Sequence, residues 1–314
     1  MVDSDPASSV GGVSLSSSKH RGPFRALLSG LRPVQWVKNG LIFLAPAAAG
    51  TLTKKVVLAH TLVAVAAYCL ISSAVYLIND LRDRASDQRH PTKKHRAIAS
   101  GQISPRLAVA SALVLLVAGF SLPALVVKPA GLYFILALYV VISLNYSFWL
   151  KTVPVIELGA VASGFFLRAY AGAAASHIYV SSWFLVVISF GALFLVTGKR
   201  SSELLHHADQ ETRKVLSDYT PAFLQSALTL CATVVVTSYC LWAFDTSTTG
   251  LSSAHHHIVP IRISVVPVVF AILYIMKSAE AGNGAAPEEL VVKDRTVQSL
   301  LLLWALALAI GIYA

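Results

Sequence analysis

Apolar residues fall along this chain in nine long runs separated by polar breaks. The runs cover roughly residues 34–52, 56–79, 107–127, 131–148, 155–175, 183–198, 220–243, 259–277 and 296–313. Most are about 18 to 24 residues long, enough for an α-helix to cross a hydrocarbon core about 30 Å thick. They do not alternate apolar and polar positions every second residue, as the strands of a membrane barrel do. The pattern predicts an all-α polytopic membrane protein with nine transmembrane helices. The first run is the weakest, because Lys38 and Asn39 interrupt it, and the sixth is short.

Ahead of the runs, residues 1–20 read as a disordered tail, rich in Ser and Gly as far as residue 18. No apolar core of signal-peptide length precedes Arg21, so a secretory signal is not expected. Residues 21–314 then form a single transmembrane domain.

Composition sharpens this reading. Of 314 residues, 56% are hydrophobic and only 13% charged, with a mean hydropathy of +0.68. Soluble domains carry about 25% charged residues. The partner of most of the surface is therefore a lipid bilayer. A formal net charge of +10 raises the question of nucleic acid, but no nucleic-acid-binding signature appears, and none is expected as a partner. The cations sort by loop instead. Lys19, Arg21, Arg25, Arg32 and Lys38 surround the start of the first run, and a further seven lie between the second and third. Lys151 follows the fourth, Lys199, Arg200, Arg213 and Lys214 follow the sixth, and Lys277, Lys293 and Arg295 follow the eighth. The opposite side holds Lys54, Lys55 and Lys128. By the positive-inside rule the N-terminus and the long loops face the cytosol, and the C-terminus lies outside the plasma (inner) membrane. Cys69, Cys231 and Cys240 all lie within apolar runs and read as small buried hydrophobes, with no disulfide framework. The chain is compatible with self-association into a homo-oligomer.

The chemistry concentrates where the second run meets water, at Asn79-Asp80-Leu81-Arg82-Asp83-Arg84-Ala85-Ser86-Asp87. Asn79, Asp83 and Asp87 are spaced i, i+4, i+8, and Asp80, Asp83 and Asp87 are spaced i, i+3, i+7. On a helix either set shares one face. Carboxylates so placed repel unless a cation sits among them, and oxygen ligands suit Mg²⁺, which bridges carboxylates to substrate phosphates. The cations that follow, Arg89, Lys93, Lys94 and Arg96, together with His90, suit the rest of a phosphate-rich substrate. A solvated charged loop is the plain alternative. Pro91 is expected to end the acidic helix.

Other residues admit a structural and a functional reading. Lys38 either snorkels to the interface or meets a phosphate. Lys199, Arg200 and Glu203 either anchor the sixth run or hold the far end of the substrate. Arg168 lies deep in the fifth run, where a charge is costly and marks a function or a paired group. Glu157, three turns away on the same run, is too distant to pair with it, so each needs a partner from elsewhere. Asp294, with Arg295, opens the last run, where a carboxylate is favoured by the helix dipole alone. Tyr146 and Lys151 close the fourth run, as belt and snorkelling residues ordinarily do. His255, His256 and His257 are consecutive and cannot all converge on one ion, so they read as a solvated loop.

Asn79-Asp80-x-x-Asp83-x-x-x-Asp87 between the second and third of nine runs resembles the UbiA superfamily of membrane transferases. The resemblance implies a UbiA-type bundle, a cavity open to the cytosol and to lipid, and an acidic motif that binds a diphosphate through Mg²⁺. The prenyltransferases of that family carry a second Asp-x-x-x-Asp motif after the sixth run. Here that place reads Gly198-Lys199-Arg200-Ser201-Ser202-Glu203-Leu204. This departure is similar to the family's phosphoribosyltransferase branch. That branch also has Arg-Pro-x-Gln-Trp-x-Lys-Asn, matched by Arg32 to Asn39. It has His-Pro-Thr-Lys, matched by His90 to Lys93, and Asp-Arg, matched by Asp294-Arg295.

The resemblance implies transfer of 5-phosphoribosyl from phosphoribosyl diphosphate to a polyprenyl (decaprenyl) phosphate, feeding cell-wall arabinan (arabinogalactan) synthesis. It implies Asn79, Asp80, Asp83 and Asp87 at the Mg²⁺. The matched motifs put Lys38, Asn39, His90, Lys93, Lys199, Arg200, Glu203, Asp294 and Arg295 among the residues expected around the substrates. The reading of the residues themselves adds Arg82, Lys94, Tyr146, Lys151 and Arg168. The nearest rival is prenyl transfer to an aromatic acceptor. A transporter is disfavoured, because transporters set their charges near the midplane.

Overall fold

Several membrane helices start where the sequence writes a cap. The Ser104 hydroxyl accepts from the Leu107 N–H and Thr220 Oγ1 from the Phe223 N–H, each with proline at the next position. Proline is pre-organised for the first helical turn, where its missing N–H costs nothing. In the computed structural model, residues 23–125, 130–206, 214–245, 258–280, 290 and 293–314 are described, and among them there is no strand.

In chain order the helices are α1 (Pro23–Leu31), a 3-10 helix (Pro33–Phe43), α2 (Leu44–Ala48), α3 (Lys55–Arg82), α4 (Arg84–Arg89), α5 (Pro105–Ser121), α6 (Ala130–Phe148), α7 (Ile156–Ser176), α8 (Ser182–His206), α9 (Pro221–Phe244), α10 (Ile258–Ile263), α11 (Val265–Glu280) and α12 (Arg295–Tyr313). Eight spans among the described residues are long and apolar enough to cross a bilayer, with α10 and α11 counted as one. The protein is a multi-pass membrane protein. The expected tail at 1–20 and the His255–His257 loop lie outside the described residues.

The first of the nine expected spans differs from the rest. It is a 3-10 helix for eleven residues, followed by one short α-helical stretch. Pro33 fixes its start, and Pro46 lies within the α-helical part. A 3-10 helix has three residues per turn, and its inward residues keep that period. Trp36 donates from Nε1 to the Ser73 hydroxyl of α3, Asn39 is buried at the Arg168 guanidinium of α7, and Ile42 is fully buried. The Ile42 carbonyl lies so close to α7 that any β-carbon at Gly172 would collide with it. Glycine at 172 is thus required by close approach of two backbones.

Two packed groups of helices form the core. One joins α3, α6 and α7 through Tyr68, Ile71, Leu132, Leu136 and Leu167. The other joins α8, α9, α11 and α12 through Phe194, Leu228, Ile272 and Val297. Leu158, Ala162, Val196 and Leu224 tie α7 to α8 and α9 between them. Large apolar side chains such as Leu113, Val117, Leu303 and Leu306 are exposed on the outside of the bundle, as a lipid-facing surface requires.

Candidate active site

At one end of the bundle a cavity of about 670 Å³ opens between α3, α6, α7 and the 3-10 helix. Its mouth carries charge, and aromatic and small side chains line much of the rest. Asn79, Asp83, Asp87, Lys93 and Lys151 line the upper part, with Lys38 and Tyr146; Arg168 is reached at depth.

The acidic stretch crosses a bend. Helix α3 stops at Arg82, Asp83 takes φ −84° and ψ 3°, and α4 resumes at Arg84. The Asp83 N–H still donates to the Asn79 carbonyl at 2.9 Å and the Asp87 N–H to the Asp83 carbonyl at 2.8 Å. The near-helical spacing therefore survives the bend. Helix α4 ends at Arg89, with His90 extended ahead of Pro91, the conformation that a following proline favours.

Each carboxylate has a cation from elsewhere in the chain. Asp80 is buried and accepts from Arg32 and, at 3.2 Å, from Arg96 Nη1. The same Arg96 nitrogen donates to Asp87 Oδ2 at 2.8 Å. Lys151 Nζ donates to Asp83 Oδ1 at 2.6 Å, and Asn79 Nδ2 to Asp83 Oδ2 at 3.3 Å. Arg96 thus bridges two of the three aspartates, resolving their mutual repulsion as a cation should.

The remaining expected residues divide into four groups. Lys38, Lys93, Tyr146, Lys151 and Arg168 line the cavity with the acidic residues. Asn39, Arg82 and His90 do not line it and bond within the chain instead. Asn39 accepts from Arg168 Nε at 2.8 Å. Arg82 stacks its guanidinium 4.7 Å over the Phe148 ring and donates to the Phe148 carbonyl, fastening α3 to the end of α6. His90 Nδ1 lies 3.2 Å from the Thr92 N–H and caps the turn after α4. Lys94 and Arg295 are exposed.

Arg200, Glu203 and Asp294 have structural partners. Arg200 donates to both oxygens of the fully buried Glu157 at 2.7 Å each, and to Glu203 at 2.8 Å. The partner that Glu157 needed from another helix is therefore Arg200 of α8. Lys199, beside it, is half-buried. Asp294 caps α12, accepting from the N–H groups of Thr296 and Val297 and from the Tyr274 hydroxyl. The Val297 N–H above all holds its carboxyl below the usual aspartate range.

Residues with no motif to announce them complete the walls. Tyr76, Tyr139, Ser143 and Phe165 line the cavity. Only their place on the inward faces of α3, α6 and α7 could have pointed to them. Arg32 and Arg96 line it too, within stretches already noted as basic.

The donor set fits Mg²⁺. Asp83, Asp87 and Asn79 bring oxygen ligands into one cavity. Mg²⁺ is ordinarily held by only one or two carboxylates, with waters and substrate phosphates filling its octahedron. No group of three acidic, His or Cys residues among those described converges into a ready cage, so the substrate would complete the shell.

A charged cavity let into one end of a multi-pass helical bundle defines a membrane protein with a polar site at the end of its helices. The profile of the UbiA prenyltransferase family matches residues 39–294, and the chain belongs to that family. The decaprenyl-phosphate phosphoribosyltransferase of Corynebacterium glutamicum is 37% identical over 309 residues, 96% of this chain and 92% of that one. The decaprenyl-phosphate phosphoribosyltransferase of Mycolicibacterium smegmatis is 38% identical over 311 residues, 93% of this chain and 95% of that one. Among solved structures, a UbiA homologue from Archaeoglobus fulgidus bound to GPP and Mg²⁺ shares the fold. Its TM-score is 0.64 at 20% identity, over 91% of this chain and 98% of the other.

Proposed function

We propose that this chain is a decaprenyl-phosphate phosphoribosyltransferase. It moves 5-phosphoribosyl from phosphoribosyl diphosphate to a polyprenyl phosphate and releases pyrophosphate, supplying a precursor of cell-wall arabinan. The observation that carries the reading is identity of 37% and 38% to two proteins of that name, over more than nine-tenths of each chain. The charge-lined cavity at the end of a lipid-facing bundle supports it. The charged end faces the cytosol of the plasma membrane, where a soluble anionic donor is made. The lateral lipid face receives the acceptor.

In the reaction an oxygen of the acceptor phosphate forms a bond to the ribose anomeric carbon. The bond from that carbon to the diphosphate oxygen breaks, and its electron pair leaves with pyrophosphate. A phosphate monoester is already anionic at neutral pH, so no strong general base is needed. Asp83, Asp87 and Asn79 would hold Mg²⁺, which would supply the charge that neutralises the leaving diphosphate. Arg32, Arg96 and Lys151 line the same wall and offset the charge of two anionic substrates brought together. Asp80, buried beneath, holds Arg32 and Arg96 in position for that task.

The test is transfer by purified protein in detergent, with radiolabelled phosphoribosyl diphosphate, a polyprenyl phosphate and Mg²⁺. Label is expected in the lipid phase, and chelation by EDTA is expected to abolish it. No label in lipid, with transfer from a prenyl diphosphate to an aromatic acceptor instead, would overturn the reading.

A further inference from the structure

The cavity also holds a charge that no described residue balances. Arg168 is 5% exposed, and no carboxylate among the described residues lies within ion-pair distance of it. Its partners are neutral. Nε donates to Asn39 Oδ1 at 2.8 Å, Nη1 to the Gly164 carbonyl at 2.7 Å and Nη2 to the Tyr139 hydroxyl at 2.9 Å. The rings of Tyr139 and Tyr68 stand 4.7 and 5.7 Å from the guanidinium carbon. A guanidinium has five N–H donors, so both Nη atoms keep one for a further acceptor. Gly164 leaves the room it needs, since a β-carbon there would stand 3.3 Å from Nη1.

The Tyr68 ring, fully buried, packs by the guanidinium without lining the cavity, and its hydroxyl has no hydrogen-bond partner among the described residues. A guanidinium without a counter-charge deep in a membrane bundle is expensive. One anion entering from the cavity would balance it.

We propose that Arg168 forms a seat for a phosphate monoester, separate from the acidic cluster at the cavity mouth. The inference rests on the phosphoribosyl reading above and deepens it. Arg168 lines the same cavity as Asp83 and Asp87 but bonds to neither, so the seat and the acidic cluster are separate parts of one cavity. A diphosphate belongs at the mouth, with the carboxylates and their metal. A phosphate monoester needs no metal and pairs directly, bidentately, with a guanidinium. Both substrates carry one: the 5-phosphate of the donor and the phosphate of the lipid acceptor.

The experiment measures binding to the full chain in detergent, without turnover. The probes are ribose 5-phosphate, a short-chain polyprenyl phosphate and inorganic pyrophosphate, against wild type, Arg168→Gln, Arg168→Lys and Tyr68→Phe. Arg168→Gln is expected to weaken one of the two monoesters at least tenfold, with pyrophosphate changing less than twofold, and Arg168→Lys to restore part of the loss. Loss of ribose 5-phosphate assigns the seat to the donor, and loss of the polyprenyl phosphate assigns it to the acceptor.

Should Arg168→Gln fail to fold, Arg168→Lys carries the test alone. It keeps the charge but loses the bidentate fork, and is expected to weaken the same monoester two- to fivefold, while Tyr68→Phe, outside the cavity lining, is expected to leave both monoesters unchanged. Unaltered binding of both monoesters in the folded Arg168 variants would overturn the seat and leave Arg168 a packing residue, even with transfer intact. Arg168-dependent monoester binding by a protein that transfers no phosphoribosyl would instead overturn the function and keep the seat.

Discussion

The hydroxyl of Tyr219 accepts a hydrogen bond from the backbone N–H of Val155 at 2.7 Å, joining the loop after α8 to the loop before α7. Val155 sits at φ 66° and ψ −48°, and the Ile156 N–H reaches the Pro154 carbonyl across it at 2.7 Å. This is a γ-turn with positive φ, a strained conformation for a β-branched residue. The turn lies between Lys151, which holds Asp83, and Glu157, which holds Arg200. Burial pushes the Tyr219 phenol above its ordinary pKa, so it stays neutral through the physiological range. Tyr219→Phe is expected to lower stability by about 1–3 kcal/mol, with reduced turnover as Lys151 loosens. Val155→Gly removes strain of about 1–3 kcal/mol and loses little packing, since the Val155 side chain is exposed. Thermal unfolding in detergent should show Val155→Gly raising the midpoint and offsetting Tyr219→Phe. A midpoint lowered by Val155→Gly would contradict the strain.

Asp83→Ala and Asp87→Ala are each expected to cut transfer by about 100-fold or more while the protein stays folded, because both side chains line the cavity, Asp87 buried there against Arg96. Initial rates at several Mg²⁺ concentrations give the check. Wild-type rates in either variant would remove the metal from this end of the cavity.

Arg200 is expected to act on stability rather than on substrate affinity. Glu157→Gln leaves the guanidinium of Arg200 buried with only half its charge partners, at a cost of about 3–5 kcal/mol. Replacing both, as Glu157→Leu with Arg200→Met, should recover much of that cost. A double variant that folds but shows a donor KM raised tenfold would instead make Arg200 a substrate contact.

The Asp294 cap has a pH signature. Its folded-state pKa is lowered, so its stabilising effect is fully present above the ordinary aspartate value of about 3.9 and is lost as pH falls through the lower folded value. The difference in thermal midpoint between wild type and Asp294→Ala should be constant from pH 5 to 7 and close in stronger acid. A difference that widens with acidification would contradict the assignment.

Much of the fold could be read from hydropathy, because a lipid solvent leaves the backbone few choices. Eight of the nine expected spans are present as long apolar helices, with ends close to those read from the sequence except in the sixth. The sixth is not short: read as ending at 198, it runs on to His206 as α8, because the helix continues past the apolar run into its polar end. The exception among the nine, the first span, is instructive. A periodicity of 3.6 is what an apolar α-helix shows, but Trp36, Asn39 and Ile42 repeat every three residues, and only the 3-10 geometry makes them one face.

The acidic stretch was equally visible, being an unusual density of carboxylates at a membrane edge. Its cations were not assignable in advance. Arg96 comes back to Asp80 and Asp87 through a turn, and Lys151 crosses from another helix. The cost of a buried charge did say that Arg168 and Glu157 each required company. It did not say that Glu157 would find an arginine while Arg168 would find only an amide, a carbonyl and a phenol.

The 3-10 winding of the first span also sets a length scale. At about 2 Å per residue rather than 1.5, its eleven residues reach about as far as fifteen in an α-helix. Asn39 sits partway down this stretched rod and meets the Arg168 guanidinium there. Gly172, by admitting the Ile42 carbonyl, fixes the rod one turn further on. The depth of the cavity charge is therefore calibrated by chain count. One residue added between Trp36 and Asn39 would swing everything beyond it by about 120°, pointing the amide away from the guanidinium it now steadies.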